Sequence, residues 1–346
     1  MHADSLHTAP GALAGKPQNA APWVIVSTGI HDRGGQDKAN FALAQYLLEQ
    51  NVPVHLVSHS VDSRLMAYPG AVFHAVPKPP GPFVAGEVLL DRRGRAVARS
   101  VEAAYPGMRM VVNGGNCIWP GINWAHYVHH AWNPNRGATP AWYRFKSQLN
   151  HRWDKGREKK AYSAAQLVIT NSESTRQFLL HHLSLDPART TTVYLGCDDT
   201  WGRVDAQERL AARAAFDIPD SMLVASFIAG LGWDDRKGFD ILRRAWAQLC
   251  RNREWNVILM VAGGGAALSK WKREAIAAGL EDRVRFLGFT GRVRELLAAS
   301  DVMVSPVRYE PYGLNVQEAI CRGVPTIVSH CAGAAERYPQ DYGAMV

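Results

Sequence analysis

Asp301-Val-Met-Val-Ser-Pro-Val-Arg-Tyr-Glu310-Pro-Tyr-Gly-Leu-Asn315-Val-Gln-Glu318-Ala-Ile-Cys-Arg-Gly323-Val-Pro325-Thr-Ile-Val-Ser329 is the stretch whose reading decides the fold. Val302 to Val304 is a short apolar run of the buried-strand type, followed by a turn-rich segment and a helix that Asn315 can cap and Gly323 can end. The pattern is strand, loop, helix, strand. A loop feeding a helix N-terminus leaves backbone N–H groups without intrahelical partners and carries a partial positive charge, which suits a phosphate or a sugar oxygen. Glu310 in the loop and Glu318 in the first helical turn can both point into one crevice, and Gly313 lets the backbone approach a ligand closely.

Asn315-Val-Gln-Glu318 also has the spacing of a capping box, in which Glu318 reaches back to a backbone N–H and has no ligand. The longer string argues otherwise: seven residues separate Glu310 from Glu318, with Pro-Tyr-Gly between them and Glu-Ala-Ile-Cys-Arg-Gly-Val-Pro following. This resembles the Glu-x7-Glu signature of retaining glycosyltransferases of family 4. The resemblance implies an α/β chain with the GT-B fold, two Rossmann-like domains facing each other across a cleft.

The chain has 346 residues, 47% hydrophobic and 20% charged, enough for two ordinary globular domains. No apolar run approaches the roughly 20 residues that span a bilayer, and Met1 to Thr8 lacks the basic start and apolar core of a signal peptide, so the expected location is cytoplasmic. The five cysteines are scattered without a Cys-x-x-Cys, which indicates neither a disulfide framework nor a zinc site. A formal charge of +8 favours anionic partners, whether nucleotide sugars, acidic lipid surfaces or nucleic acid. No recognisable nucleic-acid module supports the last of these.

Along the chain, residues 1–21 read as a disordered lead, 22–200 as an N-terminal Rossmann-like domain and 201–346 as a C-terminal one. Trp23 to Ser27 is a buried parallel strand, followed by Gly29-Ile-His-Asp-Arg-Gly34-Gly35-Gln-Asp-Lys38 and a helix. These glycines do not form Gly-x-Gly-x-x-Gly, so the dinucleotide fingerprint is not met, and a plain tight turn would look the same. The Gly263-Gly-Gly265 triplet lacks the acidic residue a dehydrogenase needs after its next strand. Phe83 to Ala104 reads as a helix whose Arg92, Arg93, Arg95 and Arg99 form a solvated face. His126, His129 and His130 lie close in sequence, but no cysteine or carboxylate beside them completes a metal site. Ala141 to Ala165 mixes Trp142, Tyr143, Phe145 and Trp153 with seven cations; a solvated connecting helix is the favoured reading and an anionic lipid interface the other.

In the second half, Gly230-Leu-Gly-Trp-Asp-Asp-Arg236-Lys237-Gly238 puts two adjacent cations before a helix, where they can neutralise a diphosphate. The resemblance carries residue roles onto these positions. Gly34 and Gly35 lie beside the donor diphosphate and acceptor; His129, with His130 as second choice, contacts the transferred sugar. Lys237 and Arg236 grip the diphosphate beside Gly230, and the N–H groups of Tyr312, Gly313, Leu314 and Asn315 assist. Glu310 holds sugar hydroxyls and Glu318 the ribose. Leu231 stands where many members have an arginine, which leaves that role to Arg236. The implied reaction is transfer from a nucleotide diphosphate sugar to an acceptor hydroxyl with retention, by front-face attack or by double displacement. No Asp-x-Asp occurs, so no metal and no cofactor are expected. The second domain is expected to be C-terminally short, because family members continue past the equivalent of Ala332 to Pro339. That keeps a non-catalytic sugar-nucleotide-binding or scaffold protein as the alternative.

Overall fold

The computed structural model describes residues 20–80, 83–133, 139, 141–198 and 200–346. Nearly all of the expected disordered lead therefore lies outside the described residues.

The first lobe runs β1 (Trp23–Val26), α1 (Gln36–Glu49), β2 (Val54–Ser58), β3 (Ala71–Ala75), α2 (Phe83–Ala104), β4 (Arg109–Val112), β5 (Ile122–Ala125), α3 (Ala141–Ala164), β6 (Leu167–Thr170), α4 (Glu173–Leu183) and β7 (Thr190–Thr192). Its seven strands lie in the order β3-β2-β1-β4-β5-β6-β7, and the pairs are parallel. Both faces of such a sheet are covered, which explains why β1 is apolar at every position and not alternating. Val24 and Val26 pack with Leu90 and Val97 of α2 on one face, while Ile25 packs with Phe41, Ala44 and Leu48 of α1 on the other.

The second lobe runs α5 (Ala206–Ala215), β8 (Leu223–Ile228), α6 (Phe239–Leu249), β9 (Val257–Ala262), α7 (Leu268–Ala277), β10 (Val284–Gly288), α8 (Val293–Ala299), β11 (Val302–Ser305), α9 (Leu314–Cys321) and β12 (Thr326–Val328). Its five parallel strands lie in the order β10-β9-β8-β11-β12. Along β9, Leu259 and Val261 join Leu242, Trp246 and Trp271 on one side, and Ile258 and Met260 join Leu296 on the other. Phe239, Leu242 and Trp246 fall at helical spacing on α6, giving it one buried stripe. The chain is thus two parallel α/β units, the architecture of the GT-B fold.

In each sheet the strand order reverses once, between β1 and β4 in the first and between β8 and β11 in the second. Flanking loops leave in opposite directions at such a point, and a crevice opens outside the carboxyl ends of the strands. The segments that follow β1, β4, β8 and β11 contain Gly34 and Gly35, Gly114 and Gly115, Arg236 and Lys237, and Glu310 respectively.

Contacts between the lobes are specific. Glu336 accepts hydrogen bonds from the Glu173 and Ser174 N–H groups, both at 2.8 Å, so a carboxylate of one lobe satisfies orphan donors at the N-terminus of α4 in the other. The Tyr309 hydroxyl accepts from the Val128 N–H at 3.1 Å, and its ring lies parallel to that of Trp132.

Trp246 is 3% exposed, donates its indole N–H to the Arg283 carbonyl at 3.1 Å and meets Trp255 edge-on. Trp246→Ala is expected to lower unfolding free energy by about 3–5 kcal/mol. Tyr46→Ala, on a side chain 61% exposed, should cost less than about 0.5 kcal/mol. Urea denaturation of both variants checks this, and equal losses would contradict the packing described.

Candidate active site

Two loops of the second lobe are zipped together by Arg308. The Arg308 N–H donates to the Arg236 carbonyl at 2.9 Å. The Arg308 guanidinium reaches the Asp235 carbonyl at 2.6 Å and grips both Asp240 oxygens, at 2.6 and 2.7 Å. Asp240 sits in the first turn of α6, where a carboxylate also suits the helix dipole. Gly238 takes φ +71° with the Pro306 carbonyl packed where a Cβ would stand, so the approach needs glycine.

That zipper sets Lys237 and Arg236 against Glu310. The Lys237 ammonium contacts Glu310 Oε2, and Arg236 Nη1 lies 3.5 Å from the same oxygen. Arg236 also lies over the Tyr127 ring of the first lobe, 5.2 Å from its centroid. Burial, with the Arg236 charge adding to it and Asp234 opposing, lowers the Lys237 ammonium to about 7. The carboxylate in contact with it works the other way and favours the charged pair.

Glu318 lies on α9 and takes Lys38 of α1 as partner, Nζ to Oε1 at 2.9 Å across the cleft. Burial raises the Glu318 carboxyl, against the pull of Lys38. The capping-box alternative is thereby set aside, because this carboxylate faces the other lobe. The expectation that Asn315 caps the helix is corrected as well: Gly313, at φ +95°, is the N-cap, and Asn315 lies inside α9 with its amide donating to the Ile228 carbonyl at 2.9 Å. Asn315 cannot cap because the loop turns through a left-handed glycine two residues earlier. Tyr312 is 2% exposed, and its hydroxyl lies 2.7 Å from the Leu195 carbonyl and 2.8 Å from Gln317 Oε1. Its side chain ties the loop to the interlobe segment, which leaves its backbone for any ligand. Leu314 opens α9 and is half-buried. A Cβ at Gly34 or Gly35 would meet nothing within 4 Å, and one at Gly230 only the Gly264 carbonyl at 3.9 Å, so the space beside these glycines is open.

In the first lobe, His129 and His130 stand in a 3-10 turn (His129–Ala131) held by one buried carboxylate of α3. Glu158 accepts the His129 N–H at 2.8 Å, the His130 N–H at 3.2 Å and lies 2.6 Å from His130 Nδ1. Burial pushes the Glu158 carboxyl up to about 7, with those two N–H bonds opposing. Asp154 Oδ2 lies 3.6 Å from His129 Nδ1, and burial, then Glu87 and Glu158, push its carboxyl up to about 7. Burial, then the charges of His151, His130 and Lys155, bring the His129 imidazole down to about 4. It is therefore neutral near pH 7, with one nitrogen to donate and one to accept. His129 and Asp154 share a pocket with Asn113, Gly114, His126 and Arg157, in which His126 Nε2 and Asp154 Oδ1 are buried without a hydrogen-bond partner. Among the described residues, no three His, Cys, Asp or Glu side chains are placed to hold a metal.

Lys38, Asp154, Glu158 and Tyr309 were given no role from sequence. Lys38 closes the stretch that begins at Gly29, and Tyr309 precedes Glu310, so adjacency was a usable signal for both. Nothing local marks Asp154 or Glu158, which reach the site because α3 packs beside the His129 turn.

Cations and an acid at the carboxyl ends of β8 and β11, with Tyr127 of the first lobe lying between Arg236 and the neutral His129, accord with a glycosyltransferase of the GT-B class. Residues 33–201 match the family described as Glycosyltransferase Family 4, and residues 212–342 that described as Glycosyl transferases group 1. The chain belongs to family 4. It is 38% identical over 112 residues to the uncharacterized glycosyltransferase YqgM of Bacillus subtilis, covering 32% of this chain and 31% of that protein. It is 26% identical to the D-inositol 3-phosphate glycosyltransferase of Stackebrandtia nassauensis, across 95% of this chain and 75% of that one. It is 27% identical to the uncharacterized glycosyltransferase MJ1607 of Methanocaldococcus jannaschii over 49% of this chain and 43% of that protein, so the chain spans less than half the length of some curated relatives it matches. Similar folds include WaaG, a glycosyltransferase involved in lipopolysaccharide biosynthesis, at TM-score 0.73, 19% identity and 91% and 83% of the two chains. Anabaena Alr3699/HepE, solved in complex with UDP and glucose, has TM-score 0.65, 18% identity and coverage of 92% and 83%.

The raised Asp154 carboxyl has a sign that can be checked. A folded value of about 7 against 3.8 unfolded means the folded state binds this proton more tightly, so its contribution to stability is full below about pH 4 and is lost as pH rises through 7. Asp154→Asn should therefore gain about 1–3 kcal/mol over the wild type at pH 8 and little at pH 4. Urea melts at the two pH values measure it; a gain independent of pH would show that Asp154 is already ionised in the folded protein.

Proposed function

We propose that this protein transfers a sugar from a nucleoside diphosphate sugar to an acceptor hydroxyl with retention at the anomeric carbon, without a bound metal. One observation carries the reading: Lys237 and Arg236 stand together against Glu310 at the carboxyl ends of β8 and β11. Such a cluster is built to exchange an internal carboxylate for a diphosphate, and charge fixed in advance in a dry cleft stabilises a departing anion most effectively.

In this mechanism the bond from the anomeric carbon to the leaving phosphate oxygen breaks as the acceptor oxygen bonds to the same face of that carbon. The acceptor proton passes to the leaving phosphate. Lys237 and Arg236 neutralise the diphosphate, Glu310 holds sugar hydroxyls, Glu318 takes the ribose hydroxyls in exchange for Lys38, and neutral His129 hydrogen-bonds the transferred sugar. Once the diphosphate takes the two cations, Glu310 is free to hold sugar hydroxyls, a task compatible with front-face attack, which asks no covalent bond of it, whereas double displacement would require one. With two cations at the diphosphate position, the leaving charge is met without a divalent ion. Five free cysteines support a reducing, cytoplasmic compartment; peripheral contact at the inner membrane face is a separate part of the proposal. Donor base, sugar and acceptor follow from a thermal-shift screen of UDP, GDP, ADP and their sugars, since a ligand of the folded state raises Tm.

Lys237→Ala and Glu310→Gln should each lower kcat by about a hundredfold or more in protein that circular dichroism shows to be folded at the assay temperature, although Tm falls because each change leaves a partly buried charge without its partner. Chelator-treated protein should turn over as before, and product NMR should show the donor's anomeric configuration. Unchanged turnover in both variants would overturn the enzymatic reading, and activity lost to chelator and restored by manganese would overturn the metal-free one.

A further inference from the structure

The outer face of α3 is unusual for a surface helix. Trp142 and Phe145 are each 68% exposed, Leu149 is 52% exposed and Trp153 39%. Spacings of three, four and four residues stack these side chains in one stripe along the 24-residue helix. Contiguous exposed apolar surface of this kind marks an interaction site, since water opposes leaving it bare.

Charge distinguishes the occupant. Arg144, Lys146, Arg152, Lys159 and Lys160 of the same helix are all exposed, with Lys146 and Arg152 on either side of the apolar stripe at helical spacing. The helix has two acids, Asp154 and Glu158, and both turn inward to the His129 turn and its pocket. Apart from these, every charged residue of the helix is a cation. A protein partner would need its own apolar patch ringed by acids; an anionic bilayer offers both features at every point, headgroups for the cations and acyl chains for the rings. Tryptophan at the polar–apolar boundary fits the same setting.

We propose that α3 lies in the surface of an anionic lipid bilayer, its Trp142-Phe145-Leu149-Trp153 stripe seated among the acyl chains and its flanking cations on the headgroups. The inner face of α3 supplies Asp154 and Arg157 to the pocket beside His129. A docked helix therefore brings that pocket within about one helix diameter, roughly 10 Å, of the headgroups. Resting on the sugar-transfer reading, this assigns the acceptor to the class of hydroxylated lipid headgroups and lipid-linked sugars, not freely diffusing molecules.

The full chain is sedimented with vesicles of phosphatidylcholine alone and of phosphatidylcholine with phosphatidylglycerol, without any sugar donor present. The wild type should bind the anionic vesicles and not the neutral ones. Trp142→Ser combined with Phe145→Ser, and separately Lys146→Glu combined with Arg152→Glu, should each weaken binding about tenfold or more. Circular dichroism and the Tm shifts with UDP, GDP and ADP should match the wild type, since neither pair of substitutions touches the cleft. Failure of the wild type to bind, or binding that survives both variants, overturns the proposal while leaving sugar transfer intact. A wild-type dimer that the aromatic variant converts to monomer assigns the face to a second copy of the chain and overturns it as well.

Discussion

A charged group taken out of water must find a partner, and that constraint organises the space between the two sheets. Lys237 and Arg236 find Glu310 within their own lobe, while Lys38 and Glu318 find each other across the gap. Removing one member of such a pair would leave the other desolvated and uncompensated, which costs several kcal/mol. Pairing therefore holds the second lobe's loops together and, through Lys38 and Glu318, ties the two lobes to each other. It also sets the terms of binding: any ligand that breaks these pairs must offer each charge another partner.

Much of this was legible in the sequence because the determinants are local. Apolar strands such as Trp23 to Ser27 and Val302 to Val304 announce parallel sheets, and the Glu310 to Glu318 spacing places two acids on the loop and helix that follow one strand. Adjacent cations at 236 and 237 are a local signal too, and they stand together against Glu310 before α6. What could not be read is where partners come from when they are distant in the chain. Glu318 meets Lys38 over 280 positions, and the Val128 N–H meets Tyr309 over 181. The misassigned cap shows a subtler limit. Asn315 has the chemistry of a cap, yet the glycine at 313 lets the chain enter the helix earlier by a left-handed turn, and the asparagine is freed to tie α9 to β8.

The histidine cluster illustrates why composition alone misleads. Three histidines within five residues suggest a metal, but what surrounds His129 and His130 is a pair of carboxyls from α3, each raised by burial. Glu158 spends its oxygens on backbone N–H groups, so it fixes the turn and does not serve as a ligand. Asp154 stays beside His129 without a strong bond to it, and the imidazole remains neutral because burial and neighbouring positive charge both oppose its protonation. A neutral ring can donate to one hydroxyl and accept from another, which an imidazolium cannot do.

Helix α3 joins these two halves of the protein's behaviour. Its inner face, through Glu158, holds the turn that presents His129, and through Asp154 lines the adjoining pocket. Its outer face carries Trp142 and Phe145, both mostly exposed, with cations beside them. A helix pays no packing cost for exposing polar residues, but exposing Trp142 and Phe145 forgoes about 1.5–3 kcal/mol for each that burial would return. Folding alone gives no reason to keep such residues on the surface. A partner surface that buries them recovers that energy, and the same rigid element, through Glu158, reaches the His129 turn.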